Sequence, residues 1–184
     1  ETTFTQGEDQ CLKALVPELP ETQARSLLVV GTLADVVEDQ LRRCFDALGI
    51  GPVAFLPPRD STRLPAVGPK TRFLLAQPFL GETARALQAR GARHLVAPFP
   101  LGVEGTLAWL GAAATDFGVA PDRLAQVTAA PVARARQALA RVRERLAGRR
   151  ISFLPDSQLE IPIARFLARE CGMELVEVGV PYLD

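Results

Sequence analysis

The side chains that most often hold metals or act as catalytic bases are scarce in this sequence, whose 184 residues include one histidine and three cysteines. Cys11, Cys44 and Cys171 are odd in number, and their spacings match no zinc or cluster motif. We therefore expect buried, reduced thiols, as in a reducing cytoplasm, and assign no metal ligand. His94 begins a predicted strand and is expected to be structural, and no Ser–His–Asp set can be assembled.

An excess of charge and a long apolar run are also absent. Lys plus Arg and Asp plus Glu each number 21, a balance that argues against a nucleic-acid footprint for the whole chain. No apolar run approaches the length of a membrane span and no secretory signal is recognisable, so neither membrane insertion nor secretion is expected.

Nucleotide-binding motifs are also missing. The turn 31–33 does not open a G-x-G-x-x-G fingerprint, and there is no Walker A lysine loop, so the sequence gives little support for nucleotide binding by this segment alone.

Apolar residues make up 48 per cent of the sequence, which is enough for a substantial core. Short apolar segments alternate with amphipathic ones that stop at glycines, and this alternation predicts a parallel sheet covered on both faces. The predicted strands are 27–30, 53–56, 73–76, 94–97, 151–154 and 175–178. The fold class is therefore α/β, with a doubly wound, mostly parallel, Rossmann-like sheet plus the start of a second α/β domain.

Three segments are expected along the chain. Residues 1–25 are assigned to the end of an upstream domain with a connecting loop or helix. The polar stretch 1–9, which lacks an initiator Met, is expected to be a loop that continues earlier sequence. Residues 26–148 form the main α/β domain and end in a long helix from 121, with Pro131 as its break or its start. Residues 149–184 are the first βαβ unit of a further, truncated domain.

Capping residues predict two helix starts. The segment Thr32 to Asp35 has the pattern of a capping box. Asp156 or Ser157 is expected to cap a helix over 159–171, with an acid or ligand contact as the alternative role for Asp156.

The carboxylates Glu1, Glu8 and Asp9 allow either a functional cluster or a solvated loop or helix start. The proline-rich segment 57–70 is expected to be an exposed loop.

In open α/β sheets, ligands bind beyond the carboxyl ends of the strands. Here those ends lack His and Cys and consist of Pro, Phe, Leu and small polar residues. Such a rim suits a flat apolar ligand held by a few hydrogen bonds, and ordinary turn prolines with packing aromatics are the alternative. The rim comprises 31–33, 57–58, 77–79, 98–100 and 155–157.

Arginines concentrate at the end of the predicted long helix. A phosphate-binding stripe, a solvated helix face and a docking face for a partner are the three interpretations, and zero net charge favours the solvated face. The residues are Arg134, Arg136, Arg141, Arg143, Arg145, Arg149 and Arg150.

Three stretches carry a family resemblance. They are Thr-Phe-Thr-Gln-Gly-Glu-Asp at 3–9, followed by Cys11-Leu12 and Leu15-Val16-Pro17; Val-Gly-Thr-Leu-Ala-Asp-Val-Val-Glu-Asp-Gln at 30–40; and Phe-Leu-Pro-Asp-Ser-Gln-Leu-Glu-Ile-Pro at 153–162. In combination they resemble the N-subunit family of light-independent (dark-operative) protochlorophyllide reductase, a relative of the nitrogenase α subunit. The resemblance covers nearly the whole chain.

That resemblance implies an oxidoreductase of (bacterio)chlorophyll biosynthesis, in which two N and two B subunits form a heterotetramer. An ATP-hydrolysing iron–sulfur protein, the L subunit, binds ATP and Mg and delivers electrons. A 4Fe–4S cluster between N and B passes them to protochlorophyllide, whose ring D is reduced to give chlorophyllide. The three cysteine ligands of the family's N subunit lie upstream of residues 1–9, so the segment alone is expected to be inactive. The expected location is the cytoplasm, or the plastid stroma in a plastid-bearing source.

The comparison with nitrogenase implies where the substrate pocket lies. There, the loop that resembles 4–7 carries a glutamine beside the cofactor, and a strand-end loop supplies a cysteine ligand where this chain has Leu-Ala-Gln-Pro-Phe at 75–79. The implied pocket candidates are Gln6, Gln77, Phe79, Phe99 and Asp156. Catalytic residues are unassigned, and the proton donor is expected on the partner subunit or the substrate.

Other functions stay open at this point. One is a nitrogenase-like subunit of different specificity, such as chlorophyllide reductase or nitrogenase α. Others are a non-catalytic assembly scaffold of the same fold and an unrelated α/β ligand-binding module.

Overall fold

Helices and strands alternate along residues 3–181, the part of the chain that the computed structural model describes. The helices are α1 (Phe4–Leu15), a 3₁₀ turn (Val16–Glu18), α2 (Asp35–Leu48), α3 (Gly81–Ala89), α4 (Gly102–Phe117), α5 (Pro121–Leu146) and α6 (Glu160–Arg169). The strands are β1 (Ser26–Val30), β2 (Val53–Leu56), β3 (Thr71–Leu75), β4 (Arg93–His94), β5 (Arg150–Phe153) and β6 (Glu174–Val178).

The main sheet is parallel, with strand order β2-β1-β3-β4. β5 and β6 form a separate parallel pair joined through α6. The α/β fold class predicted from the sequence is therefore confirmed. The division into domains stays a prediction, although α1 and the 3₁₀ turn contribute Leu12 and Val16 to the same core as the main sheet.

The alternation of side chains along each strand builds two cores, one on each face of the sheet. Leu28 and Val30 of β1 belong to the core under α1 and α3. Leu27 and Val29 belong to the opposite core, with Trp109 of α4 and Phe45 of α2. Helices thus cover both faces, as the fully apolar strand β1 predicts.

The expectation of an opening loop is wrong. Residues 4–15 form α1, whose first turn has a complete capping box: Gln6 N–H donates to Thr3 Oγ1 at 3.3 Å, and Thr3 N–H donates to Gln6 Oε1 at 3.1 Å. Asp9 and Leu12 are buried on the side of α1 that packs on the domain. The polar composition concealed an amphipathic helix because only a few of its residues face the core. Glu1 lies outside the described residues.

Two further predictions about helices are wrong. α2 starts after Ala34, which makes no side-chain cap, so the predicted capping box at Thr32 does not form. α5 is continuous through Pro131, which neither breaks nor starts it. Pro131 is exposed, and the surrounding residues favour helix strongly enough to accommodate the lost backbone donor.

Some exposure predictions also fail. Cys11 is exposed, and Cys44 is half-buried, whereas Cys171 is buried as expected. Burial raises the pKa of the Cys44 and Cys171 thiols, which keeps them protonated. The 57–70 segment is only partly exposed, because Val67 is fully buried and its backbone bridges Glu21.

β4 spans two residues instead of the predicted four.

Among residues 3–181, no helix combines the length and the apolar character needed to cross a bilayer.

Candidate functional site

A cavity of about 370 Å³ lies where β3 and β4 end, and we call it cavity 1. Its sheet side is formed by the residues that follow the two strands, including Gln77 and Phe99, and its far wall is α6. The position matches the general rule for ligand sites in open α/β sheets. The lining is Leu75, Gln77, Pro78, His94, Ala97, Pro98, Phe99, Leu101, Glu104, Gly105, Gln158, Ile161, Pro162, Arg165, Phe166 and Glu170.

The side chain of Trp109 holds the carboxyl end of β3 in place. This side chain is fully buried in α4, and its Nε1–H donates to the Leu75 carbonyl at 2.8 Å. A buried indole N–H needs such a partner, and the bond satisfies the last carbonyl of the strand. This hydrogen bond therefore anchors the end of β3 beside cavity 1.

His94 contributes an uncharged ring to cavity 1. It is half-buried and stacks on Phe73, with ring centroids 4.8 Å apart and planes 6° from parallel. Burial lowers the pKa of His94 below its ordinary value. The imidazole is thus neutral at pH 7, which agrees with the structural role predicted for it.

Helix α6 is attached to the start of α4 by two sets of charged contacts. The Glu170 carboxylate accepts from Val103 N–H at 2.8 Å and Glu104 N–H at 3.0 Å, and it caps a helix whose N-cap residue has no side-chain bond of its own. In return, Glu104 accepts from Arg165 at 2.9 Å and from Arg169. Hydrogen bonds from Arg165 and Arg169 hold the pKa of Glu104 below its ordinary value, so this carboxylate is ionised at neutral pH.

Gly102 makes the Glu170 contact sterically possible. Its φ is +70°, in the left-handed region that favours glycine. A Cβ here would overlap Glu170 Oε1 and lie 2.5 Å from Cδ2 of Phe166. The wall of cavity 1 therefore depends on a glycine at this position.

A second cavity, of about 460 Å³, lies beside α1, and we call it cavity 2. Its lining is Thr3, Phe4, Thr5, Glu8, Gln77, Phe79, Asp156, Ser157 and Leu159. Gln77 thus borders both cavities. Its Nε2 donates to the Thr32 carbonyl at 3.0 Å, while Thr32 N–H donates to Glu8 Oε1 at 3.1 Å. The turn after β1 is consequently fixed on both sides by polar side chains.

The five predicted pocket residues are divided between these places. Gln77 lines both cavities, Phe99 lines cavity 1, and Phe79 and Asp156 line cavity 2. Gln6 lines neither, because its side chain caps α1. Only 5% of the surface of Phe79 is exposed, so most of its ring packs in the core under α1 and α3.

The predicted capping of α6 by Asp156 or Ser157 is wrong. The helix has no side-chain cap at its N-cap residue, and Glu160 Oε1 instead accepts the backbone N–H groups of Asp156 and Ser157, each at 2.7 Å. Burial acts to raise the pKa of Glu160, but bonds from the backbone N–H groups of residues 156, 157, 158 and 160 outweigh it and the pKa is lowered. The carboxylate therefore orders the strand-end turn from inside the helix.

Sequence reasoning missed the α6 wall of cavity 1 and the carboxylate Glu104. One signal was available: Arg165 and Arg169 are spaced i, i+4 on a helix, which places two guanidinium groups on one face. Nothing in the sequence indicated that Glu104 lies opposite them, since 61 residues separate Glu104 from Arg165.

No group of three or more His, Cys, Asp and Glu side chains within residues 3–181 is arranged to hold a metal ion. The described residues therefore form no complete site for a 4Fe–4S cluster by themselves.

Residues 1–182 match the sequence profile of the family described as Nitrogenase component 1 type Oxidoreductase. The chain belongs to this nitrogenase component 1 family. Curated relatives are named light-independent protochlorophyllide reductase subunit N. Those of Rhodopseudomonas palustris strain BisB5, Bradyrhizobium sp. strain ORS 278 and Rhodospirillum rubrum are 68%, 67% and 65% identical over 100% of this chain. The resemblance stated from the sequence is confirmed.

The chain spans only 43%, 44% and 42% of the lengths of these three relatives. A solved nitrogenase structure, described as Nitrogenase Cp1 at pH 6.5, superposes with a TM-score of 0.66 at 17% identity, over 98% of this chain and 44% of that one. At this identity the likeness concerns the fold alone. It supports the nitrogenase-like α/β architecture that the family membership implies.

Proposed function

We propose that this chain is part of the N subunit of a light-independent protochlorophyllide reductase, and that cavity 1 receives part of the substrate macrocycle. Family membership and the names of the close relatives support this assignment. The observation that carries the site is a cavity at the carboxyl ends of β3 and β4, lined mostly by apolar residues that include Phe99 and Phe166, with six polar or charged side chains among them. This lining suits a flat, largely apolar ring system.

The proposed reaction adds electrons and protons to a double bond of ring D. A 4Fe–4S cluster, bound by sequence outside this chain, supplies the electrons, which an ATP-dependent iron–sulfur partner protein delivers. A B subunit completes the heterotetramer. The contribution of the present residues is to bind and orient the macrocycle and to exclude water from it.

The polar groups of cavity 1 offer no evident proton donor at neutral pH: Glu170 accepts two backbone N–H groups, and Arg165 keeps its proton. Glu104 is already ionised by Arg165 and Arg169, and His94 is a neutral imidazole. Gln77 and Gln158 are amides without an acidic proton in this pH range. The proton donor is therefore proposed to lie on the partner subunit or on the substrate itself.

The direct test is Phe99→Ala in the full-length subunit assembled with its partner. Removal of an aromatic face should weaken protochlorophyllide binding by about tenfold or more, because burying such a ring contributes about 1.5–3 kcal/mol. Binding is measured from the pigment's absorption and turnover from chlorophyllide formation. Phe117→Ala, at the other end of α4 and outside the cavity lining, is the matched control. Equal affinity in both variants would remove Phe99 from the substrate site.

A second test compares two glutamines. Gln77→Ala should alter substrate affinity, since the amide borders both cavities and fixes Thr32. Gln6→Ala should leave affinity unchanged and weaken only the start of α1. If Gln6→Ala reduces affinity as much as Gln77→Ala does, the assignment of the site to cavity 1 is contradicted.

A further inference from the structure

The second half of α5 carries a charge imbalance that is independent of the proposed function. Residues 132–150 contain seven arginines and one glutamate, a formal charge of +6 in a chain of net charge zero. The rest of the chain therefore carries a formal charge of −6. All seven arginines are exposed.

In the part of the chain that the structure describes, these arginines lack the carboxylate partners that many, though not all, of the other arginines have. Elsewhere in the described residues, arginines such as Arg59, Arg72 and Arg165 form salt bridges with carboxylates of the same chain. Within residues 3–181, none of the seven takes part in a salt bridge. Two of them make backbone contacts instead: Arg143 donates to the Glu170 carbonyl at 3.4 Å, and Arg149 to the Arg145 carbonyl at 2.8 Å. Their positive charges are thus left for an external partner.

Three of the seven form a line on the helix surface. Arg134, Arg141 and Arg145 are spaced i, i+7 and i+11, which places them on one face over about 16 Å of helix. We call these three residues the basic stripe. The half-buried positions Val132, Ala135 and Leu139 occupy a different side of the helix, which faces α4 and α2. The basic stripe therefore points away from the domain's own core.

A depression with two apolar residues, Val142 and Leu146, in its wall adjoins the basic stripe. It has a volume of about 360 Å³ and is lined by Arg141, Val142, Arg145, Leu146 and Arg149. Val142 is 41% exposed although it is an apolar β-branched residue on a helix. Arginine forks bind carboxylates in a bidentate manner, and interfaces are enriched in arginine around small apolar contacts. The patch thus combines charge recognition with a place for one apolar side chain.

We propose that the basic stripe and the adjoining depression bind an acidic amphipathic helix of a partner protein. Such a helix presents Glu or Asp at helical spacing to the three arginines and inserts a leucine-sized side chain beside Val142. Charge complementarity favours this partner. Single-stranded nucleic acid is disfavoured because no aromatic residue lies between 118 and 152 to stack on bases, and duplex DNA is kept as a competitor in the test. A lipid surface is disfavoured because the larger apolar side of α5 packs on the protein.

The test uses the full-length protein and a fluorescent synthetic helix of about 20 residues, long enough to fold partly alone, with Glu and Leu at matching spacing. Anisotropy should show saturable binding that weakens as salt rises from about 50 mM to about 300 mM. The double variant Arg141→Glu, Arg145→Glu should weaken binding by at least about tenfold. The control Arg63→Glu, Lys70→Glu has the same net charge and changes exposed residues elsewhere, so it should bind nearly as wild type.

Additional variants and ligands distinguish an acidic helix from other binding partners. Arg141→Lys with Arg145→Lys keeps the charge and should retain part of the binding, and circular dichroism should be native for every variant. A peptide of the same composition in scrambled order should bind several times more weakly. The proposal is overturned if the scrambled peptide binds equally, if the control variant loses as much affinity, or if duplex DNA or anionic phosphatidylserine vesicles bind more tightly than the helix.

Discussion

The cap that Glu170 provides to α4 allows a quantitative prediction. Glu170→Ala leaves the N–H groups of Val103 and Glu104 without their acceptor. Loss of a helix cap costs about 1 kcal/mol, and loss of a negative charge near a helix N-terminus adds about 0.5 kcal/mol. The sum of about 1.5 kcal/mol corresponds to about tenfold faster amide exchange at these two positions in the full-length protein, measured by hydrogen exchange.

Gly102→Ala tests the same contact from the other side. A left-handed φ costs a non-glycine residue about 1–2 kcal/mol, and the new methyl group displaces Glu170, which adds the lost cap. We expect a total of about 3 kcal/mol in the opening free energy of α4. Gly118→Ala is the matched control, because its φ of +75° is similar and a Cβ there meets nothing within 4 Å. It should cost only the backbone strain.

The two substitutions should also be coupled. Once Glu170→Ala has removed the cap, Gly102→Ala has less to displace, so the double variant should be about 1.5 kcal/mol more stable than the sum of the single effects. Equal exchange in the Gly102 and Gly118 variants, together with unchanged exchange at Val103 and Glu104 in Glu170→Ala, would refute the proposed cap.

The contact between α1 and α3 yields two more predictions. Asp9→Asn should destabilise the native state by about 1–3 kcal/mol in chemical denaturation, because this buried carboxylate accepts from the backbone of Glu82 at 2.9 Å and of Thr83 at 2.8 Å. Hydrogen bonds from Lys13 and Arg85 lower the pKa of Glu82 from 4.5 to about 2. Because the pKa of Glu82 is lower in the folded protein, the ionised carboxylate stabilises the fold. This stabilisation is complete above pH 4.5 and is lost as the pH falls toward about 2. Glu82→Gln should therefore flatten the melting-temperature profile in that pH range.

Controls for both are available on exposed positions. Asp46→Asn changes an exposed aspartate of α2 and should alter stability by less than about 0.5 kcal/mol. An Asp9→Asn protein as stable as the Asp46→Asn protein would show that the carboxylate does not hold α3. An acid-melting profile identical for Glu82→Gln and wild type would contradict the role of Lys13 and Arg85.

Elements specified by local pattern were predictable from the sequence. β1 contains the apolar run 27–30 between a polar segment and Gly31, and α2 and α4 end at Gly49 and Gly118 in the left-handed conformation. Their position in a doubly wound sheet follows from the alternation of strand and helix. α1 escaped prediction because its stability comes from burial of Asp9 and Leu12 against a helix some 70 residues later in the chain.

The residues of the candidate site can likewise be separated into those that the sequence predicts and those that only the tertiary fold brings together. Gln77 and Phe99 follow strands, and the rule for strand ends finds them without knowledge of tertiary contacts. Glu104, Arg165 and Glu170 depend on how α6 packs on α4, a contact between residues 61 to 67 positions apart that no local pattern encodes. The side chain of Gln6 caps α1 and lines neither cavity, so its place in the substrate pocket stays a prediction that rests on the motif alone.

The position of Gln77 between the two cavities bears on how the molecule could be redesigned. A single amide side chain borders both spaces, and shortening it would remove part of the wall that each cavity presents to the other. Trimming this one residue is therefore expected to merge the two into a continuous channel from the strand ends to α1. Larger or branched ligands would then have room that the native volumes do not offer, so position 77 is the natural first choice for widening the range of ligands that these cavities accept.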